Sequence, residues 1–125
     1  MKAVLAVAAA LLMLLSGAFS ARSLVQIGVI DFVVDWPTLI GSPVEIRDGV
    51  VVGFDDRSAI LKNGTALIYL FPPWRDREDL RFLLKRCGSL IESPGCAMGV
   101  YGVATKKEFM EDRPTLTDVD FFIQQ

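Results

Sequence analysis

Apolar residues in this chain fall into discrete runs whose spacing changes from one run to the next. Ala3 to Leu15 is unbroken. A second run holds Leu24, Val25, Ile27, Val29, Ile30, Phe32, Val33 and Val34, interrupted by Gly28 and Asp31. Its β-branched and aromatic content predicts a strand over 21–35. Trp36-Pro37 should end it, because the residue before proline is pushed into an extended conformation and proline removes a donor. Val44, Ile46 and Asp48 then alternate with Glu45 and Arg47, the period of a strand with one wet face. Asp48-Gly49 breaks the alternation before Val50, Val51 and Val52, and a glycine inside a long strand marks a bulge or bend. Gly53 to Arg57 is a polar turn. Beyond it, Ala59 to Leu61 and Ala66 to Phe71 flank Asn63-Gly64, the preferred pair for a two-residue type I′ hairpin turn.

At Pro72-Pro73 the period changes. Leu80, Leu83, Leu84 and Cys87 form an apolar stripe at helical spacing, with Asp76 as N-cap, acidic Glu78 and Asp79 in the first turn, and Gly88 suited to follow the C-terminus. Arg77, Arg81 and Lys85 line the other side at i, i+4 and i+8. Phe82 stands among them, about 160° around the helix from the stripe. Either the apolar segment Leu24 to Val34 folds over Phe82, or Phe82 anchors a partner. The first is preferred, since both features would then lose exposed apolar surface. Ala97 to Thr105 and Thr115 to Ile123 read as two further strands, joined by the charged loop Lys106 to Pro114.

Composition adds an address. Lys2 followed by the apolar run, with Ala18-Phe19-Ser20 placing small residues at the cleavage positions, predicts a signal peptide over 1–20. The run is too short to span a membrane, and no cysteine follows it to carry a lipid. The expected mature chain is therefore periplasmic or secreted, without a membrane span, and consists of an apolar arm over 21–38 and one domain over 39–125. Of 13 basic and 15 acidic residues only Lys2 lies in the leader, so the mature charge is 12 against 15, or −3. That balance offers no global attraction to nucleic acid. Cys87 and Cys96 are the only two cysteines, and in an oxidising compartment a close, even pair predicts a structural disulfide.

The resulting order is strand, strand, strand, helix, strand, strand. With the Gly49 bend, the Asn63-Gly64 hairpin and the pattern Gly99-Val100-Tyr101-Gly102-Val103, it resembles the OB-fold, a mainly β, five-stranded Greek-key barrel with one α-helix between strands three and four. It is similar to small exported bacterial OB-fold proteins, a family linked to stress and cation tolerance. The cysteine pair and the apolar arm depart from that pattern. The resemblance covers about Leu39 to Ile123, and a shared fold does not by itself carry a function.

Little in the sequence supports catalysis. There is no histidine to serve a serine or cysteine nucleophile or to complete a zinc site, and no phosphate-cradling glycine loop. Asp118 and Asp120 are expected to share a strand face, but two carboxylates are too few for a cation site. No enzyme, cofactor or metal is predicted. The resemblance implies binding on the face of strands two and three with its flanking loops, which here carry Arg57, Lys106, Lys107 and Arg113. Tyr69 and Tyr101 could stack on bases or sugars. Tyr69, set in Leu67-Ile68-Tyr69-Leu70-Phe71, reads instead as core. The expected partner is a protein or small polymeric ligand. One alternative is a binder of single-stranded nucleic acid, which is not favoured, or of oligosaccharide, and a subunit role in an envelope assembly is the other.

Overall fold

In the computed structural model, which describes residues 22–123, five strands close into a mixed barrel. They are β2 (Pro43–Val52), β3 (Ala59–Asn63), β4 (Ala66–Leu70), β5 (Ala97–Ala104) and β6 (Thr115–Phe122). A two-residue strand, β1 (Val25–Gln26), lies parallel to the start of β2. Around the barrel the order is β2-β3-β4-β6-β5, and β5 pairs back onto β2. All joints are antiparallel except β4–β6, which is parallel and short, with Tyr69 opposite Thr115 and Leu70 opposite Leu116. Alternation sends Val44, Ile46, Leu61, Ile68, Leu70, Val100 and Leu116 inward, each fully buried. The expected leader and its cleavage site lie outside the described residues.

One strand serves both halves of the barrel because β2 breaks register against β5 between Ile46 and Gly49. Gly49 is required there, since a Cβ would lie 2.5 Å from Leu61 Cδ1 and 3.1 Å from Val29 Cγ2.

The segment expected as an N-terminal strand is mostly helix. α1 runs Val29–Leu39, and the described chain therefore has two helices, not one. Val29, Phe32, Val33 and Trp36 sit at i, i+3, i+4 and i+7, a helical stripe, and Val29, Phe32 and Trp36 are buried. Trp36-Pro37 does not end the segment. Pro37 falls in the last turn, where it removes a single i→i−4 bond, and burial of Trp36 outweighs that loss. The helix packs against β4, β3 and β2. Its first turn is tied to β2 by Val29 N–H, which donates to Asp48 Oδ1 at 2.9 Å. Just past its end, Gly41 N–H donates to Ala104 O of β5 at 2.7 Å. Tied to the barrel at both ends, α1 packs its buried stripe into the core as a plug.

The hairpin turn is displaced by one residue from its expected place. Asn63 pairs with Ala66, so the two turn residues are Gly64 and Thr65. Gly64 has φ 60° and Thr65 is not among the residues of positive φ, the pattern of a type II′ turn with glycine first. Asn63 is drawn out of the turn because its amide donates to Asp48 O at 2.9 Å and Asp48 Oδ2 at 3.4 Å.

α2 (Arg77–Arg86) lies between β4 and β5 in chain order. Asp76 caps it, its Oδ1 accepting from Glu78 N–H at 2.9 Å. The buried stripe is rotated from expectation. Leu83 and Cys87 are buried, Leu80 and Phe82 pack half-buried against the core, and Leu84 is 51% exposed. Phe82 thus packs on the shared core, which the strands and the buried stripe of α1 build together. Gly88 does not take a left-handed C-terminal conformation. Its lack of a side chain serves the close approach of Phe54 O, 3.3 Å from where a Cβ would stand. A disulfide joins Cys87 to Cys96, both buried, across the loop 88–95.

Candidate functional site

With Ile68 and Leu70 facing inward, Leu67, Tyr69 and Phe71 must face outward, and this makes the β3–β4 wall unlike the rest of the barrel. Tyr69, expected in the core, is half-buried on the outer surface. Across the hairpin it stands beside Ile60, and Lys62 stands beside Leu67. Every one of these side chains is partly exposed.

The β5–β6 loop, residues 105–114, folds along one side of this wall. Thr105 N–H donates to Thr115 O and closes its base, Tyr69 N–H donates to Pro114 O at 2.9 Å, and Met110 is buried beneath it. That anchoring presents two side chains. Phe109, 70% exposed, meets the Phe71 ring edge-on at 5.4 Å between centroids. Arg113 holds its guanidinium 5.9 Å from the Tyr69 ring centre, within cation–π range. On the β3 side, Glu92 of the disulfide-closed loop pairs with Lys62 at 3.2 Å. The wall is therefore a shallow apolar strip with aromatic and cationic groups at one margin.

The expected site residues separate. Tyr69 and Arg113 come together. Lys106 stands 3.9 Å from Asp112 in the same loop, and Lys107 precedes its short 3-10 turn, half-buried. Arg57 lies exposed in the Gly53–Ser58 turn, which Trp74 fastens by donating from Nε1 to Asp56 O at 3.0 Å. Tyr101 belongs to another wall. It lies on β5 under the Arg75 guanidinium, 4.6 Å from the ring centre, and Arg75 also binds Asp118 Oδ2 at 3.0 Å. That hydrogen bond above all raises the Arg75 pKa and keeps the side chain charged. Asp118 takes φ 56° at an irregularity in the β5–β6 pairing, and both it and Asp120, which stands opposite Tyr101, are half-buried between the buried Val119 and Phe121. Among the described residues no group of three or more Asp, Glu, Cys or His side chains could hold a metal ion.

Two further carboxylates are shifted in opposite directions. Asp79 on α2 is raised, first by burial and then by the charges of Asp76, Asp120 and Glu78. Glu45 on β2 is lowered, chiefly by the hydrogen bond from Arg47, against the effect of burial, with a further bond from Gln26 of β1. Glu45 thereby ties β1 to β2.

Phe71 and Phe109 were absent from the expected site. Phe109 did leave a signal: it is a lone aromatic in an otherwise charged loop, with no apolar partner at strand or helix spacing. Phe71 left none, since the start of the Pro72-Pro73 break makes it look like the last core residue of a strand. Arg77, Arg81 and Lys85 are all exposed on α2, and Arg77, Glu78 and Arg81 line an open hollow of about 390 Å³. Comparison of the chain with protein-family models, with curated proteins and with solved structures returns no match.

Proposed function

We propose that the protein is an exported binding or adaptor module of the OB-fold type, without catalytic activity, whose ligand lies across the β3–β4 wall. Support for the fold type comes from the strand order β2-β3-β4-β6-β5 with its single parallel joint. One observation carries the site: Tyr69, Phe71, Phe109 and Arg113 form a continuous aromatic and cationic margin that the protein's own fold leaves uncovered. Such a margin grips a planar or ring-bearing polymer by stacking, at about 1–3 kcal/mol for each stacked unit. Export is supported by the buried disulfide and by the expected leader. Among the described residues no helix is long and apolar enough to cross a membrane.

The test is a titration of the chain from Ala21 with single-stranded oligonucleotides and with neutral oligosaccharides, followed by the anisotropy of the labelled ligand and by amide shifts. Binding weakened at least about tenfold in Tyr69→Ala and Phe109→Ala supports the wall. Binding that survives both substitutions, or turnover of either polymer, refutes it. A second reading, a subunit of an envelope assembly, draws on Ile30 and Val34, which are 55% and 71% exposed on the outer side of α1. Chemical cross-linking from cysteines placed at those two positions, with no partner captured, would count against it.

A further inference from the structure

We infer that the C-terminal end of α2 and the disulfide-closed loop after it form a surface that seats on an anionic lipid leaflet without crossing it. Three aliphatic side chains meet solvent here. Leu84 is 51% exposed in the last turns of the helix, and Leu90 and Ile91 are 72% and 80% exposed in the loop. Burial on the protein's own core is closed to the pair, because the loop is held at both ends. Cys87 and Cys96 are joined beneath it, Gly53 N–H donates to Ser89 O at 2.9 Å, and Glu92 is paired with Lys62. The tether therefore holds two adjacent aliphatic residues outward in a fixed place, which lowers the ordering entropy of any docking event.

Charge selects the occupant. The acids of α2, Asp76, Glu78 and Asp79, are confined to its start, whereas Arg81, Lys85 and Arg86 lie toward the end that borders the aliphatic side chains. Arg77, Arg81 and Lys85 are exposed on the side of the helix that also presents Leu84, and none of them makes a salt bridge among the described residues. Arg77 and Arg81 also line an open hollow, which the Glu78 carboxylate shares. A protruding aliphatic tip behind a row of unpaired cations is the arrangement that partitions into the headgroup region of an anionic leaflet. A protein partner fits less well, since interface anchors are chiefly Trp, Tyr and Arg set in pockets, and Leu is under-represented among them.

The experiment is co-sedimentation of the chain from Ala21 with vesicles of phosphatidylcholine alone and with one-third phosphatidylglycerol. That chain retains the whole buried core, which lies between Val29 and Phe121. Binding is expected only to the phosphatidylglycerol vesicles, and should fall as salt rises from 50 to about 300 mM. Arg81→Gln and Lys85→Gln should each weaken it roughly fivefold, the effect of one cation near a charged leaflet. L90S/I91S should abolish it while leaving the thermal midpoint within about 2 °C of the parent, as both residues are exposed. Absence of binding to the anionic vesicles, equal binding to the neutral ones, or full binding by L90S/I91S would each overturn the inference. Self-association lost in L90S/I91S, without vesicle binding, would also overturn it and assign the surface to a second copy of the chain.

Discussion

Phe32→Ala decides whether α1 is a plug or a detachable arm. Phe32 is fully buried, and the helix that carries it is fixed at both ends, by Asp48 on β2 and by Ala104 on β5. The barrel is closed by hydrogen bonds all round, so neither the helix nor the strands can collapse freely into the space the ring leaves. The loss should therefore fall in the upper range for core truncation, about 3–5 kcal/mol. Against a typical total of about 5–15 kcal/mol, that is a large share of the stability. For a domain near 100 residues it should lower the melting temperature by about 12 °C or more. The assay is urea unfolding followed by tryptophan fluorescence and far-ultraviolet circular dichroism, with the m-value held as a check on two-state behaviour. Val34→Ala, on the opposite side of the same helix and 71% exposed, should change stability by less than about 0.5 kcal/mol. If Phe32→Ala does not accumulate folded protein, Phe32→Leu should show an intermediate loss with the same m-value. A loss below about 1 kcal/mol for Phe32→Ala would refute the plug. So would amide exchange in which Val29–Leu39 opens far more readily than β2.

Asp48→Ala removes the acceptor for the first turn of α1 and should cost about 1–2 kcal/mol, whereas Asp48→Asn, which keeps an oxygen in place, should lose less than half of that; urea midpoints of the two variants compare them directly. Asp79 carries a native pKa above its unfolded value, so the folded state binds more protons. Stability should therefore fall as pH rises from about 4 through the raised native pKa. Asp79→Asn should flatten that decline, and unfolding midpoints at pH 3 and pH 7 that leave the slope unchanged would refute the assignment. Reduction of Cys87–Cys96, which are nine positions apart, should cost about 2–3 kcal/mol by releasing the closed loop in the unfolded chain, measured as the difference in urea midpoint with and without reductant.

Strand spacing made most of the barrel readable. Val44 to Val52, Ala59 to Asn63, Ala66 to Leu70, Ala97 to Ala104 and Thr115 to Phe122 all follow local patterns, and Gly49 announced the bend in β2. In α1 the helical stripe Val29, Phe32, Val33 and Trp36 was also present, but β-branched neighbours and Pro37 favour an extended chain locally. The helix wins because it buries Val29, Phe32 and Trp36 in the core with the strand residues, a gain that appears only once the strands are closed. The same dependence governs the site. Tyr69 and Arg113 lie 44 positions apart in the chain, and the parallel β4–β6 joint brings them together.

What the chain determines by itself is where the five barrel strands and α2 fall, which cysteines can pair, and that no histidine chemistry is available, since these depend on residue type and short-range spacing. Tertiary structure alone decides which face of each element is wet. Asn63 left the turn to bind Asp48, α2 rotated so that Phe82 packed inward and Leu84 came out, and Tyr69 turned outward beside Arg113. In each case the deciding contact is made by residues distant in sequence, and burial against them outweighs the fraction of a kcal/mol by which local preference differs.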